Sequence, residues 1–372
     1  MTDVVKTGAG AAAKGPVMIM AGGTGGHVFP ALAVAKILRD RGIPVVWLGS
    51  AGGMETRLVP ANGFELERVD VAGLRGKGIA AWLRAPFRLI GAVNQARAIV
   101  KRVKPRVVLG AGGFASGPGG IAAWLARIPL LVHEQNATAG LTNRCLARVA
   151  IQVFEAFPGS FGKRIKAVCI GNPVRPDIAA IAPPDERLAS RTGPIRLLVL
   201  GGSQGAQRLN ALLPQALARM LPQARPEVRH QAGERGFELT RQAYQELKVD
   251  ATVVAFIDDM AAAYAWSDLA VCRAGALTIT ELQTAGVAAV LIPFPAAVDD
   301  HQTKNAGVLV RIGAARLVPE RELDADVLSG LITELAGDRA RLRAMAQAAR
   351  SSAITDAAAR LADSCLAAGA YA

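Results

Sequence analysis

The sequence of 372 residues is short of several residue types, and each shortage excludes a class of protein. Its four cysteines lie far apart and form no C-x-x-C pair, so neither a disulfide framework nor a zinc site is expected, and a reducing cytosol fits best. Aromatic residues make up only 5% of the chain and no nucleic-acid-binding module is recognisable, which argues against nucleic acid as a partner. One long uncharged run, 107–126, contains six glycines and one proline, so it predicts a strand, a loop and a helix start rather than a membrane span.

Acidic residues are missing from one long stretch of the first half. None occurs between Val71 and His133, whereas ten basic residues do. Of the net charge of +13, residues 1–171 carry +14 and the remainder carries −1. This asymmetry favours an anionic partner for the first half only, and charge alone leaves nucleic acid, a membrane surface or a phosphorylated substrate as candidates.

The length favours two domains, because one hydrophobic core rarely spans so many residues. Residues 1–16 carry an acidic residue and lack an apolar core, so they are expected to form a disordered tail rather than a signal peptide. We predict a first domain over 17–175, a proline-rich linker over 176–194 and a second domain over 195–372. The last helix of the second domain is a candidate to pack back on the first.

One pattern occurs twice, at 17–38 and at 195–217: a short apolar strand, a turn crowded with glycines and a helix. The glycines of these turns are Gly22, Gly23, Gly25 and Gly26 in the first stretch and Gly201, Gly202 and Gly205 in the second. The backbone N–H groups of such a turn and the N-terminus of the following helix both favour negative charge. The repeat therefore predicts two anion sites, in two similar domains that face one another.

Apolar strands alternate with helices along both halves of the chain. This alternation predicts two parallel, doubly wound α/β sheets. Between the strands, a helix is predicted over 79–103 and is expected to be interrupted at Pro86. Ligands of such folds bind beyond the carboxyl ends of the strands, so the loops at those ends are expected to carry the chemistry.

The usual nucleotide motifs are absent from both glycine turns. Neither turn reads G-x-G-x-x-G in register, and the second strand ends in Gly49-Ser50, where a ribose-binding Asp or Glu would be expected. No G-x-x-x-x-G-K-[ST] occurs either. NAD and ATP are therefore both disfavoured as ligands.

Nine segments of the sequence, taken together and in order, resemble the MurG family. They are GGTGGHVFPALA (22–33), GLRGKG (73–78), GGFASGPGG (112–120), HEQNATAGLTNR (133–144), GNPVR (171–175), GGSQGAQRLN (201–210), FIDDM (256–260), CRAGALTITEL (272–282) and DDHQTKNAG (299–307). The family comprises the UDP-N-acetylglucosamine–N-acetylmuramyl-(pentapeptide) pyrophosphoryl-undecaprenol N-acetylglucosamine transferases of bacterial peptidoglycan synthesis. The similarity covers 17–313, and so many motifs in one order make it specific.

The resemblance implies a GT-B fold, with two Rossmann-like domains and a cleft between them. It implies an inverting transfer of GlcNAc from UDP-GlcNAc to the C4 hydroxyl of the muramyl sugar in lipid I, which gives lipid II. No cofactor and no catalytic metal are expected. The implied partners are UDP-GlcNAc, lipid I, an anionic membrane surface and other proteins of cell-wall synthesis, with the protein peripheral on the cytoplasmic face of the bacterial inner membrane.

The resemblance places the donor mainly in the second half. It implies that the backbone of Ile257 reads the uracil and that Glu281 accepts the ribose hydroxyls, a role that suits a carboxylate facing a diol. Ser203 would contact a phosphate, with Arg175 supporting the site by its charge. A helix start would hold the leaving diphosphate through its N–H groups, at Ala276, Leu277, Thr278, Ile279 and Thr280. Gln302 and Asn136 would bind sugar hydroxyls across the cleft.

The acceptor is placed against the first glycine turn, where Thr24, Gly25 and Gly26 would face its diphosphate. His27 is the candidate base for the acceptor hydroxyl, because the reference pKa of an imidazole lies near the working pH. Glu134 is the alternative base, or a buried structural carboxylate. His133 and His230 are expected to be packing or hydrogen-bonding residues.

A basic, apolar stretch follows the third predicted strand. It contains Leu74, Arg75, Lys77, Ile79, Trp82, Leu83, Arg84, Phe87 and Arg88. One interpretation is a solvated helix face combined with core residues; the other is an amphipathic patch that seats the domain on anionic lipid, which the lack of acids favours. The nearest alternative function is that of a UDP-GlcNAc 2-epimerase or another sugar-nucleotide enzyme of the same fold, which would need neither this patch nor His27.

Overall fold

The structure is a computed structural model in which residues 15–71, 79–201 and 206–370 are described, without the side chains of 79–84 and of 298. Nearly all of the predicted tail, residues 1–16, lies outside these ranges. The described residues form two parallel sheets, one in each half of the chain. No helix within them is long and apolar enough to span a bilayer.

The first sheet has seven strands in the order β3-β2-β1-β4-β5-β6-β7, and every neighbouring pair is parallel. The strands are β1 (Val17–Met20), β2 (Val45–Ser50), β3 (Glu65–Val69), β4 (Val107–Gly110), β5 (Leu130–Glu134), β6 (Gln152–Glu155) and β7 (Val168–Cys169). Val17 of β1 pairs with Val45 of β2 on one side and with Val107 of β4 on the other. The order in which successive strands are added to the sheet therefore reverses at β1. The central strands are buried on both faces, as continuous apolar runs predict.

The second sheet has six parallel strands in the order β10-β9-β8-β11-β12-β13. The strands are β8 (Arg196–Leu200), β9 (Glu227–Gln231), β10 (Thr252–Val254), β11 (Leu269–Cys272), β12 (Ala288–Leu291) and β13 (Ala315–Leu317). The prediction of two doubly wound parallel sheets is confirmed. Strand β8 has the same position in this sheet as β1 has in the first, since the strand order reverses between β8 and β11.

Fifteen α-helices cover the sheets in the described ranges. Those of the first half are α1 (Gly25–Asp40), α2 (Glu55–Ala61), α3 (Ile79–Val103), α4 (Ser116–Leu125) and α5 (Leu141–Leu146), and α6 (Pro176–Ala179) and α7 (Pro184–Ala189) follow the first sheet. Those of the second half are α8 (Gln207–Ala218), α9 (Phe237–Glu246), α10 (Met260–Trp266), α11 (Ala276–Ala285), α12 (His301–Arg311), α13 (Ala325–Ala336), α14 (Arg339–Ser351) and α15 (Ala357–Ala370). Short 3-10 helices occupy Pro222–Ala224, Val298–Asp300 and Glu320–Glu322.

Helix α3 is continuous, so the predicted interruption at Pro86 is wrong. A proline inside a helix removes one backbone hydrogen bond. The later turns of α3 bury Ala96, Ile99 and Val100 in the same core as residues of α4, and α3 packs along α4. This packing fixes the later turns of the helix, whereas Pro86 itself lies on an exposed part of it.

The chain crosses between the two domains at its end. Helix α15 packs against α1 and β4, and its Leu361, Ala362 and Cys365 lie in the core of the first sheet. The segment predicted as a linker is itself ordered, since it contains α6 and α7, and Ile178 and Ile181 join a core of the second domain.

The cleft lies where the two sheets present their carboxyl ends to each other. Helix α1 follows β1 and helix α11 follows β11, and the two helices contact each other across the cleft. In open parallel sheets this edge, beside the point where the strand order reverses, is where ligands bind. The candidate site is therefore built from the turns that leave β1, β4, β5 and β11.

Candidate active site

The first glycine turn leads from β1 into the N-terminus of α1. Gly23 has a φ of +88°, and Thr24 precedes α1 in an extended conformation. Among the described residues, no group accepts a hydrogen bond from the N–H of Gly25 or Gly26. Thr24, Gly25 and Gly26 thus present free donors at the positive end of a 16-residue helix, as an anion site requires.

Glu55, which the sequence analysis missed, holds this turn in place. Its fully buried carboxylate accepts hydrogen bonds from the N–H of Gly23, at 2.9 Å, and from the N–H and hydroxyl of Ser50, at 2.9 and 2.7 Å. A Cβ at residue 53 would lie 1.9 Å from this carboxylate, so the glycines around it make room for it. The only signal in the sequence is the Gly49-Ser50 turn, which has no acidic residue at its end but is followed five residues later by Glu55, here a structural carboxylate.

His27 lies in the first turn of α1 and is partly exposed to the cleft. Its ring contacts the side chain of Gln135, which directly follows β5. Its Nδ1 is 2.9 Å from Oε1 of Gln135, 108 positions later in the chain. A Cβ at residue 112, where φ is +91°, would lie 2.6 Å from the same Nδ1, so the turn after β4 must be glycine there. Among the described residues, no group hydrogen-bonds to the other ring nitrogen, Nε2.

Glu134, the alternative base, is buried and surrounded by donors. Oε1 accepts from the N–H and the Nδ2 of Asn136, at 2.9 and 3.1 Å. Oε2 accepts from the N–H of Gly140, at 3.1 Å, and from Nδ2 of Asn143, at 2.8 Å. With four donors on two oxygens, this carboxylate holds the loop after β5 in shape.

On the opposite side of the cleft, α11 begins directly after Gly275, which is extended. Within the described ranges, no acceptor meets the N–H groups of Ala276, Leu277 and Thr278. The N–H of Ile279, however, donates to the carbonyl of Gly275 at 2.9 Å. Three free N–H groups are therefore available at this helix start rather than the five predicted.

The hydroxyl of Thr280 is engaged within the protein. Its hydroxyl donates to the carbonyl of Ala276 at 3.0 Å and accepts from Nδ2 of Asn172, 3.3 Å away in the first half. Thr280 thus contributes a contact between the two domains.

Glu281 lies one position further along α11 and is buried. The hydroxyl of Tyr264 donates to its Oε2 at 3.0 Å, and Arg175 reaches within 3.8 Å of its Oε1. Burial raises the pKa of the Glu281 carboxyl to about 7, and the nearby Arg175 guanidinium opposes part of that rise. Burial also raises the pKa of Tyr264 well above its usual value.

Gln302, in α12, faces the turn that precedes α11. Its Oε1 accepts from the N–H of Ala274, at 3.3 Å, and from the N–H of Phe294, at 2.9 Å. Among the described residues, no acceptor bonds to the NH₂ group of the same amide.

Asn305, one turn further along α12, was missed and bridges the cleft. Its Oδ1 accepts from the N–H of Ala137 at 2.8 Å, and its Nδ2 donates to Oδ1 of Asn136, at 3.3 Å, and to the carbonyl of Ala274, at 3.2 Å. Asn305 thus connects the turn that carries Asn136 with the turn that Gln302 contacts, and in the sequence it is marked only as part of the segment DDHQTKNAG (299–307).

Ile257 lies in the loop between β10 and α10. It is half-buried against the core on the α11 side of the second sheet, and no described group bonds to its backbone N–H or carbonyl. Ser203 lies outside the described residues, within 202–205.

His133 and His230 are buried and hydrogen-bonded, which confirms their predicted roles. Nε2 of His133 is 2.9 Å from the carbonyl of Gly171, and His230 contacts Tyr244 and Asn210 at 3.1 Å each. Burial lowers the pKa of His133 to about 4 and that of His230 to about 3, so both rings are neutral at pH 7.

The basic apolar stretch lies at the start of α3. Leu74, Arg75 and Lys77 fall outside the described ranges, as do the side chains of Ile79, Trp82, Leu83 and Arg84. Phe87 is 77% exposed, and Leu89 and Ile90 beside it are 46% and 58% exposed, with Arg88 exposed between them. Such a cluster of large apolar side chains on the surface of one helix is unusual for a face in water.

Two protein-family models match this chain, one in each half. The N-terminal domain of glycosyltransferase family 28 matches residues 17–155, and the C-terminal domain of the same family matches residues 196–361. The two matches fall on the two sheets.

Two sequence relatives with one name match nearly the whole chain. The UDP-N-acetylglucosamine–N-acetylmuramyl-(pentapeptide) pyrophosphoryl-undecaprenol N-acetylglucosamine transferase of Marinobacter nauticus is 54% identical over 94% of this chain and 96% of that protein. The protein of the same name from Chromohalobacter salexigens is 57% identical over 94% of this chain and 96% of its own length. The crystal structure of MurG from Acinetobacter baumannii superposes with a TM-score of 0.83, at 42% identity, over 95% of this chain and 99% of that one.

Proposed function

This chain belongs to the MurG family within glycosyltransferase family 28, and from that premise we propose how its cleft performs the transfer. The reaction moves N-acetylglucosamine from UDP-GlcNAc to the C4 hydroxyl of the muramyl sugar of lipid I and yields lipid II, a step of peptidoglycan synthesis. The enzyme is a GT-B hexosyltransferase.

The observation that carries the proposal is the pair of helix N-termini across the cleft. Helices α1 and α11 both begin after a turn at the carboxyl end of a central strand, both leave their first N–H groups free among the described residues, and they contact each other. Such ends stabilise phosphate oxygens. Two of them suit a reaction whose donor and acceptor each carry a diphosphate.

We assign the donor to α11 and its surroundings. The N–H groups of Ala276, Leu277 and Thr278 face the diphosphate, where they stabilise the charge that develops as UDP leaves. Glu281 accepts the ribose hydroxyls and the backbone of Ile257 meets the uracil. Arg175, 3.8 Å from Glu281, adds positive charge beside them. Ser203 remains assigned to a phosphate by the family pattern.

We assign the sugar and the acceptor to the opposite wall. The NH₂ group of Gln302 and the amide of Asn136 lie at the turns that meet across the cleft, beside Asn305. Thr24, Gly25 and Gly26 face the acceptor diphosphate.

His27 is the proposed base, in preference to Glu134. The lone pairs of Glu134 are engaged by four donors, whereas the described residues leave Nε2 of His27 free at a partly exposed position. The acceptor oxygen attacks the anomeric carbon, its proton passes to His27, and the bond from that carbon to the UDP oxygen breaks. A single displacement of this kind inverts the anomeric centre.

The experiment measures UDP release from UDP-GlcNAc in the presence and absence of a lipid I analogue. We expect release that depends on the acceptor, a fall in kcat of roughly a hundredfold or more in His27→Ala, and an unchanged Kd for UDP. Glu134→Gln removes the carboxylate of the alternative base while one oxygen still accepts two of the four hydrogen bonds, and it serves as the comparison. Release without acceptor, or a His27→Ala enzyme with full kcat, contradicts the assignment.

We further propose that the start of α3 rests on anionic lipid, with the protein peripheral on the cytoplasmic face of the inner membrane. The support is the exposed cluster of Phe87, Leu89 and Ile90 around Arg88, in the half of the chain that carries the positive charge. A lipid-linked acceptor requires the enzyme to work at a bilayer surface. Other cell-wall synthesis proteins remain proposed partners on the family resemblance alone.

A further inference from the structure

We propose that Gln135 is a positioning residue that fixes the proton of His27 on Nδ1, so that Nε2 is the nitrogen left to accept the acceptor's proton. The inference rests on the proposed role of His27 as base. It follows from a chain of hydrogen bonds that joins His27, Gln135 and His133. Backbone carbonyls at two points of this chain can only accept, and they determine which atom donates in each bond.

The first step is the orientation of the Gln135 amide. Its Nε2 lies 3.0 Å from the carbonyl oxygen of Ala111, which can only accept. The NH₂ end must therefore face Ala111, and the oxygen end must face His27. The amide is buried, so no solvent competes for either end.

The second step is the tautomer of His27. Oε1 of Gln135 can only accept, and it is 2.9 Å from Nδ1 of His27, so Nδ1 carries the proton and donates. A neutral imidazole has one N–H, and Nε2 is thus the nitrogen with the free lone pair. The same bond persists when Nε2 gains a proton, because Nδ1 remains a donor in the imidazolium.

The third step anchors the far end of the chain. Nε2 of Gln135 also lies 3.2 Å from Nδ1 of His133, whose Nε2 is 2.9 Å from the carbonyl of Gly171. Because that carbonyl accepts only, His133 donates from Nε2 and accepts from Gln135 at Nδ1. The neutral state that burial imposes on His133 is the state that this arrangement needs. Two backbone carbonyls, of Ala111 and Gly171, therefore fix every direction between them.

The position of the His27 ring is also fixed sterically. Gly112 lies against Nδ1 so closely that a Cβ there would be 2.6 Å away. The ring is thereby held with one edge toward Gln135 and the other toward the cleft. Misplacing a catalytic group by about 1 Å can cost on the order of a hundredfold in rate.

The test reads the tautomer directly, by two-bond ¹H–¹⁵N correlation spectra of the full-length protein labelled with ¹⁵N-histidine. The chain has four histidines, and the spectrum of His27→Asn assigns the signals of residue 27 by difference. We expect the Nδ1–H pattern in the unaltered protein. In Gln135→Met the ring is free to place its proton on Nε2, so we expect the Nδ1–H pattern to be lost.

Activity supplies the second readout. We expect kcat of Gln135→Met to fall roughly ten- to a hundredfold with an unchanged Kd for UDP. Gln135→Glu retains an acceptor toward Nδ1 and should keep the Nδ1–H pattern. Gln283→Met removes a buried glutamine that bonds to Ser352 in the second domain, and it is the matched control, expected to leave the His27 signals unchanged.

The outcomes separate this inference from the proposed base. An Nε2–H pattern for His27 in the unaltered protein overturns the inference, as does a Gln135→Met enzyme with the Nδ1–H pattern and full kcat. If His27→Ala retains full kcat, the proposed base fails whatever the tautomer is. The wild-type spectrum alone decides the tautomer should Gln135→Met fail to fold.

Discussion

The buried carboxylate of Glu281 has a cost in stability that its proposed ligand would offset. Burial raises its pKa to about 7, which is within the physiological range. Arg175 at 3.8 Å and the Tyr264 hydroxyl stabilise the charged form only in part. A ligand diol that donates to this carboxylate would supply what the protein alone does not.

This predicts a pH-dependent stability for the unliganded protein. The folded-state pKa of Glu281 lies above the usual value of 4.5, so between about pH 4.5 and 7 the folded protein holds a proton that the unfolded chain has released. The contribution of Glu281 is therefore most favourable at low pH and is lost as the pH rises to about 7. We expect Glu281→Gln to gain stability relative to the unaltered protein over that interval.

The measurement is urea unfolding of both proteins at pH 5 and pH 7.5, without nucleotide. The exposed Glu234→Gln of the same domain serves as the control. A stability difference for Glu281→Gln that is the same at both pH values, or that shrinks with rising pH, contradicts the prediction.

At the same scale, some residues of the proposed site could be predicted from the sequence and others could not. His27 and Glu281 stood within recognisable motifs. Glu55 and Gln135 act on partners 32 and 108 positions away, and nothing local to either residue marks that distance. Gln135 lies between Glu134 and Asn136, both of which the sequence predicts as site residues. Its proposed role depends on the hydrogen bond from its amide to the carbonyl of Ala111, which the sequence does not show.

Among the elements, α3 has an exposed apolar surface that nothing in the described structure covers. Its C-terminal half is buried through Ala96, Ile99 and Val100, while its start exposes Phe87, at 77%, and Ile90. The same helix therefore serves the core at one end and presents an apolar, basic face at the other. A membrane surface satisfies such a face better than water does.

We expect Phe87→Ser with Arg88→Glu to lower binding to vesicles of anionic lipid about tenfold or more, because it removes an apolar contact and reverses a charge at the surface. The Kd for UDP-GlcNAc should not change. Co-sedimentation with vesicles measures the first and calorimetry the second.

The matched control is Leu239→Ser with Arg235→Glu. Both of these residues are exposed in the second domain, Leu239 by 73%. Equal loss of vesicle binding in the two double variants, or no loss in either, rejects α3 as the lipid-facing element.

The elements themselves were largely predictable. Continuous apolar runs marked the central strands, and the helix over 79–103 has the predicted bounds. The break expected at Pro86 was wrong because the loss of one backbone hydrogen bond need not end a helix, and α1 and α8 likewise continue through Pro30 and Pro214. The N–H groups of α11 were overcounted, since a helix satisfies its own donors after the first turn.

For the whole molecule, the last helix ties the two domains together. Leu361 in α15 is buried against the first sheet, although it follows the entire second domain in sequence. Folding of the first domain therefore depends on residues near the end of the chain. The cross-cleft bonds of Asn305 and Asn172 add polar contacts between the same two bodies.

Leu361→Ala should destabilise the first domain by about 3 kcal/mol, the usual cost of a buried leucine truncated to alanine. Hydrogen exchange of the β1 and β4 amides during urea titration locates the loss, and we expect the β8 and β11 amides to be less affected. Leu221→Ala, at an exposed position of the second domain, is the control. Equal loss of protection in both sheets contradicts the assignment of α15 to the first domain.

The sequence by itself determined the two parallel sheets, the repeated strand, turn and helix, and the motifs of a sugar-nucleotide transferase. These depend on local periodicity and on short runs of residues, which a sequence displays directly. Only the tertiary structure decided which donors of α1 and α11 remain free, which carboxylates are already engaged, and which nitrogen of His27 faces the cleft. Those properties depend on atoms brought within about 3 Å from distant parts of the chain, where hydrogen bonds have a direction that spacing along the sequence does not contain.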